Sequence, residues 1–257
     1  MRKTIIETFM GKLISRKEVR AFFEAGSAAF QRNDEYSDID MGIVVEDDYL
    51  ESVVQLVEDT MQGLGRIDAR YILSQPTWHG HWQGFFHIEG TSPYLLLDIL
   101  IIKESSPSYL TEVEEHGKPV IYFDKTGKVG KEHIDFTNLR SMIPKKIESI
   151  RFITQGFRLF VEKEILRGRL TDAMDFYYNL FLRSLSTLLR IKFDTTRFSF
   201  GNRYLMHILP DNIYKEMEPL FFVRDSNDLY NKQKKVMEWM DELLKEDLLE
   251  YVKRIQE

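Results

Sequence analysis

The chain has 257 residues, of which 43% are hydrophobic and 30% charged, with a formal net charge of −6 and no cysteine. This is a globular composition; disulfides and thiolate metal sites are excluded, and the acidic balance lacks the basic field with which proteins usually hold nucleic acid. No apolar run reaches the about 20 residues a membrane helix needs, and no charged-then-apolar leader is read at the start. The expectation is a cytoplasmic protein with no membrane partner, nucleic acid being disfavoured.

Ile5, Ile6, Phe9, Leu13 and Ile14 recur at helical spacing and predict a helix over 3–14 lying against a sheet. An apolar run predicts a strand over 19–24. Gly26-Ser27 then turns tightly into a short helix, a polar loop follows, and a second strand is predicted over 38–45. Asp47 or Asp48 is expected to cap a helix reaching about Gln62, with Leu50, Val53, Val54, Val57 and Met61 on its buried stripe and Gly63 and Gly65 at its end. Strands are predicted over 67–73, 83–88 and 94–102. The last is almost unbroken in apolar residues, as expected for a strand buried on both faces, yet it holds Asp98, and an aspartate there needs a reason. A short strand over 119–123 precedes the turn Asp124-Lys125-Thr126-Gly127.

From Pro144 the pattern becomes helical, with the junction near 135–143. Ile147, Ile150, Ile153, Phe157, Phe160 and Val161 form one stripe. Thr171 is expected to cap a helix over 172–192 that is apolar nearly all round, hence central. A third helix is predicted over 204–222, interrupted at Pro210, and a last over 228–255. The fold class is α+β: a domain over 1–138 with a mixed β-sheet and flanking helices, then an all-α helical bundle over 139–257.

The chemistry concentrates in one stretch. Alternation along a strand puts Asp38 and Asp40 on one face and Ile39, Met41 and Ile43 on the other. Two carboxylates side by side repel, more so when desolvated, and a divalent cation that prefers oxygen ligands, such as Mg²⁺, removes that repulsion. Gly26 lets a ligand approach the backbone, and the N–H groups after it suit a phosphate. Paired carboxylates beside a phosphate cradle are equipment for phosphoryl or nucleotidyl transfer. His79, His81 and His87, near Trp78 and Trp82, are too sparse a set for zinc without cysteine and are read as loop histidines. Glu89 is read as a solvated turn residue. Asp172 and Asp175 complement a helix dipole, with a cationic substrate as the alternative role. Arg203 and His207 are read as ordinary helix residues.

Gly26-Ser27, a spacer of about ten residues, the pair Asp38 and Asp40, and a third carboxylate, Asp98, on a later strand together resemble the nucleotidyltransferase superfamily of the DNA polymerase beta type. With an all-helical second half, the chain is similar to the bacterial aminoglycoside and lincosamide nucleotidyltransferases. The resemblance implies catalytic and metal-binding roles for Asp38, Asp40 and Asp98, and nucleotide contacts from Gly26, Ser27, Arg32 and Ser37. It implies Mg²⁺ as cofactor, ATP or another nucleoside triphosphate as co-substrate, and a small hydroxyl-bearing acceptor bound with the bundle's help, in the setting of antibiotic resistance. The base is Asp98 or an acid of the bundle. Small-molecule members often carry a basic residue and a glycine where this chain has Phe30 and Gln31, so Arg32 is expected to supply the charge. A protein acceptor and a non-catalytic nucleotide-binding module stay open as alternatives, and so does a homodimer.

Overall fold

The structure is a computed structural model and describes residues 1–253. The fold is α+β and divides between Ile134 and Asp135 into two compact units.

The first unit is built on a six-stranded mixed sheet. Its strands are β1 (Val19–Glu24), β2 (Ile39–Val45), β3 (Ile67–Ile72), β4 (Trp82–Ile88), β5 (Leu97–Lys103) and β6 (Val120–Asp124), in the order β3-β4-β5-β2-β1-β6. Only β2 and β5 run parallel, and they lie side by side at the centre. The helices are α1 (Arg2–Leu13), α2 (Gly26–Ala29), α3 (Leu50–Leu64) and α4 (Val113–His116). Strand alternation sorts the sheet into two faces. Ile39, Met41, Ile43 and Val45 of β2 join Leu97, Ile99 and Ile101 of β5 in a core with Ile5, Phe9 and Leu13 of α1 and Val53, Val57 and Met61 of α3. The opposite face buries a smaller cluster, Ala21, Phe23, Val44, Ile102, Tyr109 and Val129. Asp40 and Asp98 belong by parity to this second face, beyond the end of its apolar cluster.

Three expectations for this unit need correction. Neither Asp47 nor Asp48 caps α3: both lie in a 3₁₀ turn, Asp47–Tyr49, that precedes the helix, and the Asp47 carboxylate instead accepts hydrogen bonds from the backbone N–H and hydroxyl of Ser105. Gly63 lies inside α3, and Gly65 ends it. The apolar run from residue 94 is strand only from Leu97, because 93–94 form a turn that leaves Tyr94 exposed.

The second unit is helical: α5 (Phe136–Gly156), α6 (Phe160–Leu166), α7 (Leu170–Phe176), α8 (Arg183–Phe193), α9 (Leu205–Ile208), α10 (Asp211–Met217), α11 (Ser226–Leu243) and α12 (Leu249–Lys253). The helix start expected at Pro144 is wrong by two turns. Asp135 caps α5, accepting from the N–H groups of Thr137 and Asn138, and Pro144 sits inside the helix. Thr171 caps nothing; it lies in the first turn of α7, which begins after Arg169. The central helix is continuous from Leu170 to Phe193, but 177–182 widen into a π-helical segment. That register change buries Tyr177, Phe181 and Leu182 and lets the Tyr177 hydroxyl donate to the Leu220 carbonyl at 2.8 Å. The expected last helix is two: α11, begun by the Asp225 cap, and α12 after a break at 244–248; the expected end at Ile255 lies outside the described residues. No helix among the described residues is long and apolar enough to cross a membrane.

Candidate functional site

The site grows from the turn between β1 and α2. The Ala25 N–H donates to the Asp40 carbonyl at 2.9 Å, so the turn is tied to the first residues of β2. Gly26 follows with φ +53°, a conformation that costs any residue bearing a Cβ. Space forbids a side chain there as well: a Cβ on Gly26 would lie 1.9 Å from Oδ2 of Asp40 and 2.4 Å from its Cγ. The glycine is where the Asp40 carboxylate rests.

Asp40 and Asp98 are register partners in the parallel β2–β5 ladder, so their side chains emerge side by side on one face. Among the described residues the Asp40 carboxylate has no arginine partner and accepts no hydrogen bond. Burial, and then the charges of Asp98, Asp38 and Glu24, push its pKa up to about 6, with Arg2 opposing. Burial likewise raises Asp98, and a hydrogen bond from Gln83 opposes the rise. Ser27 adds a buried hydroxyl oxygen with no hydrogen-bond partner among the described residues, where buried polar atoms are normally paired.

Asp38 stands just before β2 and is exposed; its carboxylate lies near enough to raise both Asp40 and Asp98. Its backbone is clamped by a residue that the sequence reading missed. Arg2 of α1 donates to the carbonyls of Asp38 (2.7 Å) and Ser37 (3.3 Å) and pairs with Glu24. Glu24 is only 4% exposed and also accepts from the Tyr122 hydroxyl at 2.7 Å. A charged residue closing the apolar run of β1 was the available sign that a buried partner existed. Arg2 itself carried none, since a lone arginine at the start of an amphipathic helix reads as solvated.

The remaining nucleotide-contact candidates lie in the loop. Ser37 donates to the Asp34 carboxylate and accepts from the Asp34 N–H, which shapes the loop. Arg32 is exposed, with its guanidinium 5.3 Å from the Phe30 ring centre. Gln31 has φ +55°. The backbone thus keeps a conformation suited to glycine, and glutamine bears the strain. Gln31→Gly is expected to raise stability by about 0.5–1 kcal/mol, read as a higher urea midpoint with unchanged slope; a lower midpoint would show that the glutamine side chain anchors the loop.

The histidines divide. His87 shares a 2.6 Å hydrogen bond with Asp68, which raises its pKa, while His79 lies 3.1 Å from Gln83. Among the described residues no three His, Asp or Glu side chains are grouped to hold a metal. Magnesium does not demand such a cage. It is commonly held by one or two carboxylates, with substrate phosphates and water completing its shell. Asp40 and Asp98, mutually repelling and part-buried, fit that pattern, with Asp38 alongside.

In the helical unit, Asp172 lies exposed in the first turn of α7, and Asp175 accepts from the Asn179 amide at 2.6 Å. Arg203 is not helical: it precedes Tyr204, whose φ is +60°. Tyr204, Met206, His207, Tyr214, Glu218 and Phe222 line a cavity of about 410 Å³. Nothing in the sequence marked it, because its wall depends on α9, α10 and the 3₁₀ turn Glu218–Phe221 meeting.

No protein-family model matches the chain, and no curated protein sequence matches it significantly.

Proposed function

We propose that the chain is a magnesium-dependent nucleotidyltransferase that moves a nucleoside monophosphate, AMP from ATP in the simplest case, to a hydroxyl of a small acceptor and releases pyrophosphate. The observation that carries this reading is the pairing of Asp40 with Asp98 across β2 and β5, with Gly26 packed on the Asp40 carboxylate.

Asp40 and Asp98, with Asp38 beside them, would hold Mg²⁺. When bound, the ion neutralises these acids and draws charge from the triphosphate oxygens. The chain's own part is positional and electrostatic. Gly26 gives the Asp40 carboxylate the room it occupies against the turn, which any Cβ would displace. The Ser27 hydroxyl, without a partner among the described residues, would donate to a phosphate oxygen. Arg2 fixes the Asp38 backbone through α1, which limits how far that carboxylate can wander. Asp98, the register partner of Asp40, would be the base on the acceptor hydroxyl. Within the helical unit, a cavity combines tyrosine and phenylalanine rings with the Glu218 carboxylate, a lining that favours a cationic, partly apolar molecule.

The test is pyrophosphate release from ATP and Mg²⁺ with a panel of aminoglycosides and lincosamides, beside calorimetry of ATP binding with and without the metal. Acceptor-dependent release with metal-dependent binding is expected. No release across the panel and no nucleotide binding would overturn the reading; binding that ignores Mg²⁺ would turn it into a non-catalytic module.

A further inference from the structure

Three hydrogen bonds in series lie behind Asp98, running from the His81 backbone through His79 and Gln83. Gln83 of β4 is a diagonal neighbour of Asp98: Phe85 is the register partner of Asp98, and Gln83 that of Leu100, so all four share one face. The Gln83 amide nitrogen donates to Oδ1 of Asp98 at 2.7 Å. Turning the amide over would set its oxygen against a carboxylate oxygen, acceptor to acceptor. The amide oxygen therefore faces away, and it meets Nε2 of His79 at 3.1 Å. An amide oxygen only accepts, so Nε2 must carry the proton. The other side of the ring agrees. The backbone N–H of His81 points at Nδ1 of His79 at 3.1 Å, which requires that nitrogen to be bare. The Thr77 hydroxyl gives its proton to the His81 carbonyl at 2.6 Å and so turns only a lone pair toward Nδ1, at 3.3 Å, a longer contact than that from the His81 N–H.

We propose that His79 and Gln83 are positioning residues: a one-way relay from the His81 backbone through His79 and Gln83 that locks the Asp98 carboxylate by its Oδ1 and leaves Oδ2 for the reaction. Each member has one orientation because its neighbour has one. The relay starts from the backbone of His81, the residue before β4, whose carbonyl also accepts from the Thr77 hydroxyl at 2.6 Å. Held carboxylates of this kind commonly lose 10–100-fold in metal affinity or activity when the outer partner is removed. The proposal rests on the reading of Asp98 as a reactive carboxylate, and its tests separate the two.

The first readout is independent of any activity. Nitrogen-15 NMR of the imidazoles in the full chain at neutral pH should show His79 protonated on Nε2 and bare on Nδ1. A proton on Nδ1 alone would overturn the relay, whether or not the protein turns over. The second is Mn²⁺ binding followed by electron paramagnetic resonance, with the metal alone as probe. Gln83→Leu and His79→Ala should each weaken it by about tenfold, and His79→Gln, which keeps a donor for Gln83, should recover most of the loss. Two variants guard against a folding defect in one, and matched thermal melts identify such a defect. In the transfer assay the same variants should lower kcat by about tenfold or more with KM for ATP within about twofold. Unchanged Mn²⁺ affinity and kcat in both would overturn the proposal. A correct tautomer with weakened Mn²⁺ binding, but no transfer by the wild type, would leave the relay standing and remove the nucleotidyltransferase reading.

Discussion

Arg190→Ala is expected to destabilise the helical unit by about 3–5 kcal/mol, the scale found when one partner of a buried ion pair is removed. Arg190 is 1% exposed, and its guanidinium is the hub of the loop that follows α8. Nη1 pairs with Asp194 at 2.7 Å, Nε donates to the Gly201 carbonyl at 2.9 Å, and Nη2 donates to the Arg203 carbonyl. Burial lowers its pKa, and Asp194 opposes that by stabilising the charged form. Arg197 grips the other Asp194 oxygen through two nitrogens, at 2.9 and 2.7 Å. Alanine would leave Asp194 partly paired but would strand two loop carbonyls, each worth about 1–3 kcal/mol when buried without a donor. Arg190→Lys should recover only part, because one ammonium cannot serve three directions. Urea unfolding of the three proteins checks this. A loss under about 1 kcal/mol for alanine would mean that the loop is held by its own turns.

This arginine marks the limit of what the sequence could say. In 183–193 it sits among leucines at helical spacing and reads as the polar edge of a central helix. Its real partners are carbonyls of a later loop, and main-chain acceptors leave no trace in residue identity. The sheet was more legible. Strands β1 and β2 follow from short apolar runs bounded by polar turns, and the parity of Asp38, Asp40 and Ile39 follows from a period of two. Asp98 stood out because a carboxylate inside an apolar strand needs a reason. What supports these acids was hidden for one physical cause. Arg2, Gln83 and His79 reach the site across strand pairings and helix packing that only the tertiary fold decides. Helix starts failed differently: Asp47 and Thr171 have the chemistry of caps, but Asp47 found a better donor in Ser105, and the helix expected from residue 172 began two residues earlier, at Leu170.

Asp40→Asn is expected to abolish transfer and yet make the metal-free protein more stable. Asparagine keeps the shape, so the packing against Gly26 survives, and it removes a charge that burial, Asp98, Asp38 and Glu24 all disfavour. No arginine is stranded by the change, because Arg2 spends its contacts on Glu24 and on the carbonyls of Ser37 and Asp38. The pKa near 6 fixes the sign. Folded Asp40 holds its proton to higher pH than the unfolded chain, so protonation favours folding. This contribution is fully present below the ordinary carboxylate pKa of about 3.9 and is lost as pH rises through about 6. At pH 7.5 the variant should therefore be more stable than wild type by about 1–3 kcal/mol, and the gap should close by about pH 4. Adding Mg²⁺ reverses the order, because the wild type gains a bound ion and the variant offers an amide oxygen, a poorer ligand for that cation. Melts of both proteins at the two pH values, with and without Mg²⁺, give four comparisons. A variant that melts lower at pH 7.5 without metal would show that Asp40 holds the fold, and retained turnover would show that it is not in the active site.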